Sequence, residues 1–171
     1  MKVRKSRKED IPEIMKIIKK AQNYFKSQNI DQWQMGYPNE EVINEDIENQ
    51  ISYVMTKDEE IIATSVITFE KESCYKNIVE GKWITNDDYA VIHRIAIDDK
   101  YKGKGLSKEI IKYAKKLCLE KNIHSIKIDT HEENLSMQNF LKKNGFKYCG
   151  VVYLEGGLED GAKRIAFEKN F

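Results

Sequence analysis

Proline is scarce in this 171-residue chain, with Pro12 and Pro38 the only 2. That leaves no Pro-rich linker and no seam at which a second domain would begin. Cysteine is scarce too: Cys74, Cys118 and Cys149 are odd in number and far apart, without a Cys-x-x-Cys pair. The pattern argues against a disulfide framework and a thiolate metal site, and it suits reduced, buried thiols. No excess of one charge exists either. Lys and Arg number 29 against 28 Asp and Glu, a formal net charge of +1. The balance therefore calls for neither nucleic acid nor an anionic membrane, and any polyanion site has to be local. No apolar run approaches the ~20 residues of a membrane span, and the basic residues 1–6 lead into Glu9 and Asp10 instead of an apolar signal core. Repeats and low-complexity tracts are absent. The expectation is one domain over residues 1–171, soluble and cytoplasmic, with no metal, no nucleic acid and no membrane among its partners.

What is present is periodicity that changes along the chain. Val3 and Arg4 open a short strand. Ile11, Ile14, Ile17, Ile18 and Ala21 then share one helical face, with Ser6 or Asp10 available as a cap. Residues 27–39 break the pattern with Asp31, Trp33, Gly36 and Tyr37, after which 41–51 read as a second helix. Aromatics on such a loop point to binding, so Asp31, Trp33 and Tyr37 are candidates for contact with a substrate; the competing reading sends Trp33 into the core. Strands are predicted over 52–55 and 61–69, separated by the acidic turn 57–60, and again over 89–97. Residues 71–88 read as a long loop or a strand extension, long enough to be functional. A helix ending near Glu120, a strand over 124–130 and a short helix closed by Gly145 follow. Strands over 146–154 and 164–169, joined by a glycine-rich turn at 156–161, complete the chain.

The strand-to-helix junction near residue 103 carries the most specific chemistry. Gly103 and Gly105 lack a Cβ, so the backbone there can turn sharply and admit a ligand close to its amides. The helix that begins beside them presents unpaired N–H groups and a partial positive charge. Lys100, Lys102, Lys104 and Lys108 surround the turn, and Ser107 adds a hydroxyl. The combination reads as an anion site of the kind that takes phosphate; the competing reading is a basic glycine turn on a solvated surface. The spacing supplies neither a Walker pattern nor the third glycine of a dinucleotide fingerprint.

The run Lys100-Tyr101-Lys102-Gly103-Lys104-Gly105 resembles the acyl-CoA signature of the GCN5-related N-acetyltransferase family, whose pattern is Arg or Gln, two residues, Gly, one residue, Gly or Ala. Lys100 departs from it at the first position. A second match lies downstream, where Asn134, Met137 and the helix ending in Gly145-Phe146 resemble the family's later motif. The resemblance covers the whole chain. It implies an α/β fold with a mixed, mostly antiparallel sheet of about seven strands, four helices and a splayed strand pair. It also implies acetyl-CoA as co-substrate and no metal. Lys102, Gly103, Lys104, Gly105, Leu106 and Ser107 would then meet the pyrophosphate, backbone groups of Ile95 and Ile97 the pantetheine, and Asn134 the same arm. Helices 1 and 2 with their connection would wall the acceptor site.

Under that resemblance the expected activity is transfer of acetyl from acetyl-CoA to a primary amine of a small molecule or peptide. The alternative is a non-catalytic acyl-CoA-binding regulatory domain, and a homodimer is compatible with either. Amine acetylation needs a base, for which His93 and then His131 are the candidates because imidazole titrates near neutrality; Asp129 could orient His131 or a water. Seven residues after Asn134, where the family often places a thiolate-protonating tyrosine, stands Leu141, which cannot donate a proton. Tyr148 or Tyr153 would be the substitutes.

Overall fold

The computed structural model describes residues 1–171. It contains seven strands and four long helices: β1 (Lys2–Lys5), α1 (Ile11–Ser27), α2 (Glu40–Glu48), β2 (Ser52–Lys57), β3 (Glu60–Thr68), β4 (Ala90–Ile97), α3 (Ser107–Glu120), β5 (Ser125–Thr130), α4 (Leu135–Lys143), β6 (Lys147–Tyr153) and β7 (Lys163–Asn170). The strand order is β1-β2-β3-β4-β5-β7-β6. The chain forms two compact units, Met1–Thr68 with Ile92–Ala114, and Phe69–Val91 with Lys115–Phe171.

In the first unit the 3.6-residue apolar stripe of α1 does what its spacing requires. Ile11, Ile14, Ile17, Ile18 and Phe25 are buried, and they cluster with Ile43 and Ile47 of α2, Val54 of β2 and Ala96 of β4. The capping residues act differently from expectation. The Asp10 carboxylate accepts the Arg7 amide at 2.8 Å and the Arg4 guanidinium at 2.6 and 2.9 Å, so it fixes the turn ahead of α1 and not the first helical amides. Ser6 instead receives a hydrogen bond from the Ser52 hydroxyl at 2.8 Å. α2 begins where Asn39 caps the Val42 amide at 3.0 Å. It ends at Glu48, short of the predicted Ile51, because Gln50 adopts φ +61° and no longer continues the helix. The β2–β3 hairpin turns at Asp58 and Glu59, both at positive φ, with Lys57 paired to Glu60. That two-residue geometry ordinarily attracts Asn-Gly, and its absence from the sequence hid the tight turn.

In the second unit β5, β7 and β6 are antiparallel neighbours, while the first residues of β4 pair in parallel with β5 as Ala90↔Ile126 and Val91↔Lys127. α4 closes with the expected glycine: the Gly145 amide donates to the Lys142 carbonyl and the Phe146 amide to the Leu141 carbonyl, at 3.1 and 3.0 Å, a Schellman stop. Segment 69–89 is a loop carrying one short turn, Ser73–Asn77, and it is tied down at several points. Val79 bridges Val151 of the edge strand β6, with hydrogen bonds of 2.9 and 2.8 Å, which covers that edge against further pairing. Two glycines allow the crossing. A Cβ on Gly81 would fall 2.1 Å from the Cys149 carbonyl oxygen, and one on Gly150 would fall 2.6 Å from the Val79 carbonyl oxygen. The Trp83 indole donates to the Tyr75 carbonyl at 2.7 Å.

Glu168, fully buried, anchors the same segment. Its carboxylate accepts the Ile84 amide at 2.6 Å, the Thr85 hydroxyl at 2.9 Å and the Ser125 hydroxyl at 2.7 Å. Removing a buried acceptor leaves its donors unsatisfied, which costs more than the bonds contribute when made. Glu168→Ala is therefore expected to lower unfolding free energy by about 3 kcal/mol or more, and Glu168→Gln by clearly less. Urea unfolding of both variants measures the difference, and equal losses would refute this assignment of the carboxylate.

Candidate active site

The turn between β4 and α3 is held on the first unit by side chains on both flanks. Asp98, buried at the end of β4, accepts the Lys100 amide at 3.0 Å and the Lys20 ammonium of α1 at 2.6 Å. Burial pushes its carboxyl up, but the Lys20 hydrogen bond, the Lys100 amide and the charges of both lysines outweigh this and hold it below its ordinary value. Tyr101 donates to Glu60 at 2.9 Å. Lys102 pairs with Asp99 at 2.5 Å and lies 4.8 Å above the Tyr24 ring, while Lys104 lies 5.1 Å above the Tyr101 ring. Gly103 and Gly105 adopt φ +74° and +69°, and a Cβ on either would meet nothing within 4 Å. The glycines therefore answer to the turn's left-handed backbone and not to a lack of room for a side chain. Leu106 and Ser107 are half-buried at the start of α3.

Upstream on β4, His93, Arg94, Ile95 and Ile97 are half-buried. Arg94 has φ +53°, a left-handed residue inside a strand. Its Nη2 donates to both Asp46 carboxylate oxygens, at 2.6 and 2.5 Å, and its Nη1 donates to the Tyr37 hydroxyl. Burial raises the Asp46 carboxyl above its ordinary value, and the charge and hydrogen bond of Arg94, with a smaller contribution from His93, only partly offset it. Sequence reading found Tyr37 and passed over Asp46 and Arg94. Both left a signal: Arg94 is the charged residue of a strand that is otherwise apolar but for His93, and Asp46 sits between Ile43 and Ile47 on the buried face of α2, positions that demand a partner.

Of the other acceptor-side candidates, Asp31 is exposed. Trp33 goes to the core: it is 7% exposed and packs edge-on against Phe25 at 5.4 Å between centroids. Its ring thus completes the apolar cluster under α1, and the binding expectation for it is corrected in favour of the packing one.

In the second unit, Asn134 is buried and caps α4, its side chain accepting the Met137 amide at 3.1 Å. Asp129 accepts the Tyr75 hydroxyl at 2.7 Å. Burial first, then the Asp129 charge, push the Tyr75 hydroxyl well above its ordinary range, so it stays protonated and donates. The Nδ1 of His131 accepts the Glu133 amide at 3.1 Å. A neutral ring in that state carries its proton on Nε2, which leaves its one basic nitrogen already engaged. Cys74, Cys118 and Cys149 are free and buried; burial pushes the first two thiols up to about 12, which makes poor nucleophiles. No three His, Cys, Asp or Glu side chains gather to hold a metal ion, and no helix is long and apolar enough to cross a membrane.

Residues 18–146 match the model of the acetyltransferase (GNAT) family. The chain belongs to that family. A GNAT-family acetyltransferase from Streptococcus agalactiae superposes with a TM-score of 0.87 at 32% identity, over 99% of this chain and 95% of that one. The PaiA N-acetyltransferase of Thermoplasma acidophilum, solved in complex with coenzyme A, has the same fold, with a TM-score of 0.70 at 18% identity over 99% of this chain and 98% of that one. Streptothricin acetyltransferase from Escherichia coli is 27% identical over 89 residues, 48% of this chain and 51% of that protein. The chain spans about half the length of the curated relatives it matches.

Within this GNAT chain Leu141 is fully buried as part of the Schellman stop, while Tyr148 and Tyr153 are 50% and 48% exposed on β6.

Two expectations follow. Trp33→Ala should cost about 3–5 kcal/mol of stability, the range for an emptied aromatic site, read by urea unfolding; an unchanged midpoint would return Trp33 to the surface. For Asp98 the folded pKa is depressed, so its stabilising contribution is complete above the unfolded value of about 3.9 and is lost as pH falls through the folded value. The stability gap between the parent and Asp98→Asn should accordingly be constant near neutrality and close on acidification. A gap that widens with acid would contradict the assigned pairing.

Proposed function

We propose that this protein is an N-acetyltransferase that moves acetyl from acetyl-CoA to a primary amine of a small molecule or peptide. The observation that carries this reading is the exposed glycine turn anchored at the head of α3, in a chain of the GNAT family. Backbone amides of Gly103, Gly105 and the first turn of α3 receive the pyrophosphate, with Lys102 and Lys104 adding charge and Leu106 and Ser107 lining its approach. Backbone groups of Ile95 and Ile97 hold the pantetheine arm. Asp31 and Tyr37 belong to the acceptor side.

The chemistry needs a neutral amine, which attacks the thioester carbon as the C–N bond forms and the C–S bond breaks; the departing CoA thiolate takes up, through solvent, the proton that the new amide nitrogen sheds. His93 takes the ammonium proton. Its half-buried imidazole lies on β4, whereas His131 is disfavoured by the engagement of its Nδ1. No tyrosine stands at Leu141, and thiolates leave readily without a dedicated acid. One relative is named for acetylating streptothricin, and a Bacillus subtilis relative, 34% identical over 71 residues, carries the name putative [ribosomal protein bS18]-alanine N-acetyltransferase; the two names support a small-molecule and a protein acceptor respectively.

The deciding experiment mixes the protein with acetyl-CoA and a panel of polyamines, amino-glycosidic amines and N-terminal peptides while free thiol is followed. Acceptor-dependent thiol release is expected, and acetyl-CoA binding without it for any acceptor would overturn the proposal. By calorimetry, Gly105→Asp should weaken acetyl-CoA binding at least tenfold through steric bulk and repulsion with the fold intact, and an unchanged Kd would remove the turn from the site. His93→Ala should lower kcat/KM by roughly 10²-fold, the scale of general base catalysis, and remove the acidic limb of the pH profile.

A further inference from the structure

We propose that Asp46 and Tyr37, by clamping the Arg94 guanidinium, hold β4 in the left-handed turn that directs the Arg94–Ile95 peptide group at the thioester oxygen. The inference rests on the acetyl-transfer reading above and adds to it the residues that set the geometry of carbonyl polarisation.

The argument begins with backbone energetics. An L-residue with a side chain pays to adopt φ +53°, the value at Arg94, because its Cβ crowds the neighbouring carbonyl. Such residues persist where their surroundings over-determine them, and they concentrate where a site uses the resulting geometry. A left-handed residue inside a strand also breaks the two-residue alternation and turns adjacent peptide groups out of the ladder, as a bulge does. Arg94 sits where this matters: the parallel register of β4 on β5 runs over Ala90 and Val91, and β4 then continues to Ile97 through the residues assigned to the cofactor arm.

What over-determines Arg94 is its side chain. Asp46 on α2 takes Nη2 with both carboxylate oxygens, and the Tyr37 hydroxyl takes Nη1. The pair is largely hidden, with side-chain exposures of 13% for Arg94 and 9% for Asp46. A partly desolvated, charge-assisted contact of this kind tolerates little misplacement. Tyr37 is itself fixed, since the Gln22 side chain of α1 donates to its carbonyl at 3.0 Å. The clamp therefore joins α1, α2 and the loop carrying the acceptor-side residues to one peptide group on β4. Asp46 and Tyr37 are positioning residues: they act on the thioester through Arg94, which in turn acts through its backbone.

A backbone role and a side-chain role separate cleanly, because glycine accepts a left-handed φ with no guanidinium to hold it and alanine does not. The test compares Asp46→Asn/Arg94→Ala with Asp46→Asn/Arg94→Gly, both free of an orphaned buried charge. The expected result is a kcat about tenfold higher for the glycine variant than for the alanine variant, matching the left-handed penalty of alanine, with acetyl-CoA Kd similar in the two. Asp46→Asn should lower kcat in the parent and have no further effect in the Arg94→Gly background. Equal kcat for the two double variants, or a kcat order that follows melting temperature, would overturn the clamp. If the alanine variant does not fold, the Asp46→Asn comparison in the parent and Arg94→Gly backgrounds decides alone. Failure of the parent protein to release thiol would refute the acetyl-transfer reading instead, and calorimetric binding of acetyl-CoA to each variant tells the two failures apart.

Discussion

A strand that must be buried and yet carry an arginine at its centre is the constraint on which the first unit turns. The chain cannot leave that guanidinium unpaired in the interior, since an uncompensated buried charge costs several kcal/mol. The solution places an acid on the inner face of α2, where the helical stripe would otherwise call for an aliphatic residue, and sends the 31–37 loop back so that Tyr37 reaches the same group. Once these are in place, the path of α2, the course of the loop and the irregularity of β4 are no longer independent. Trp33, packed on Phe25, then plugs the gap that the returning loop would leave.

The second unit solves a comparable problem with different means. Lys127 is 3% exposed and its ammonium lies 4.2 and 4.0 Å from the ring centroids of Trp83 and Tyr89. Desolvation lowers the lysine's pKa, with Glu168 pulling it back up. The aromatic faces add electrostatic stabilisation to the charge of Glu168, which spends its hydrogen-bond acceptors on Ser125, Thr85 and the Ile84 amide. In both units a buried charge secures a segment without regular secondary structure.

Most of the architecture could be read from residue pattern. The stripe of α1, the β-branched run of β4 and the glycine after α4 each state their structure through one dominant local effect, so strand and helix order followed. The glycine turn was legible for the same reason, since positive φ at Gly103 and Gly105 is a local demand. What escaped was non-local. Nothing near Asp46 in sequence says that Arg94, 48 residues away, is its partner. Trp33 could serve a surface or a core until Phe25 was seen beside it. Segment 69–89 gave no period because its order comes from contacts with β5, β6 and β7, through Lys127, Val151 and Glu168, and not from its own repeat. The turn at Asp58 and Glu59 lacked the glycine that normally announces it.

The placement of the tryptophans has a practical side. The chain has 2, and one falls in each compact unit: Trp33 in Met1–Thr68 and Trp83 in Phe69–Val91. Their surroundings differ in kind, since one indole meets a phenylalanine edge and the other faces an ammonium and donates to a carbonyl. Intrinsic fluorescence therefore contains two separable reporters. Replacing either indole with phenylalanine would leave a single emitter, so that the loss of order in each half of the molecule can be timed by its own spectrum without any attached dye.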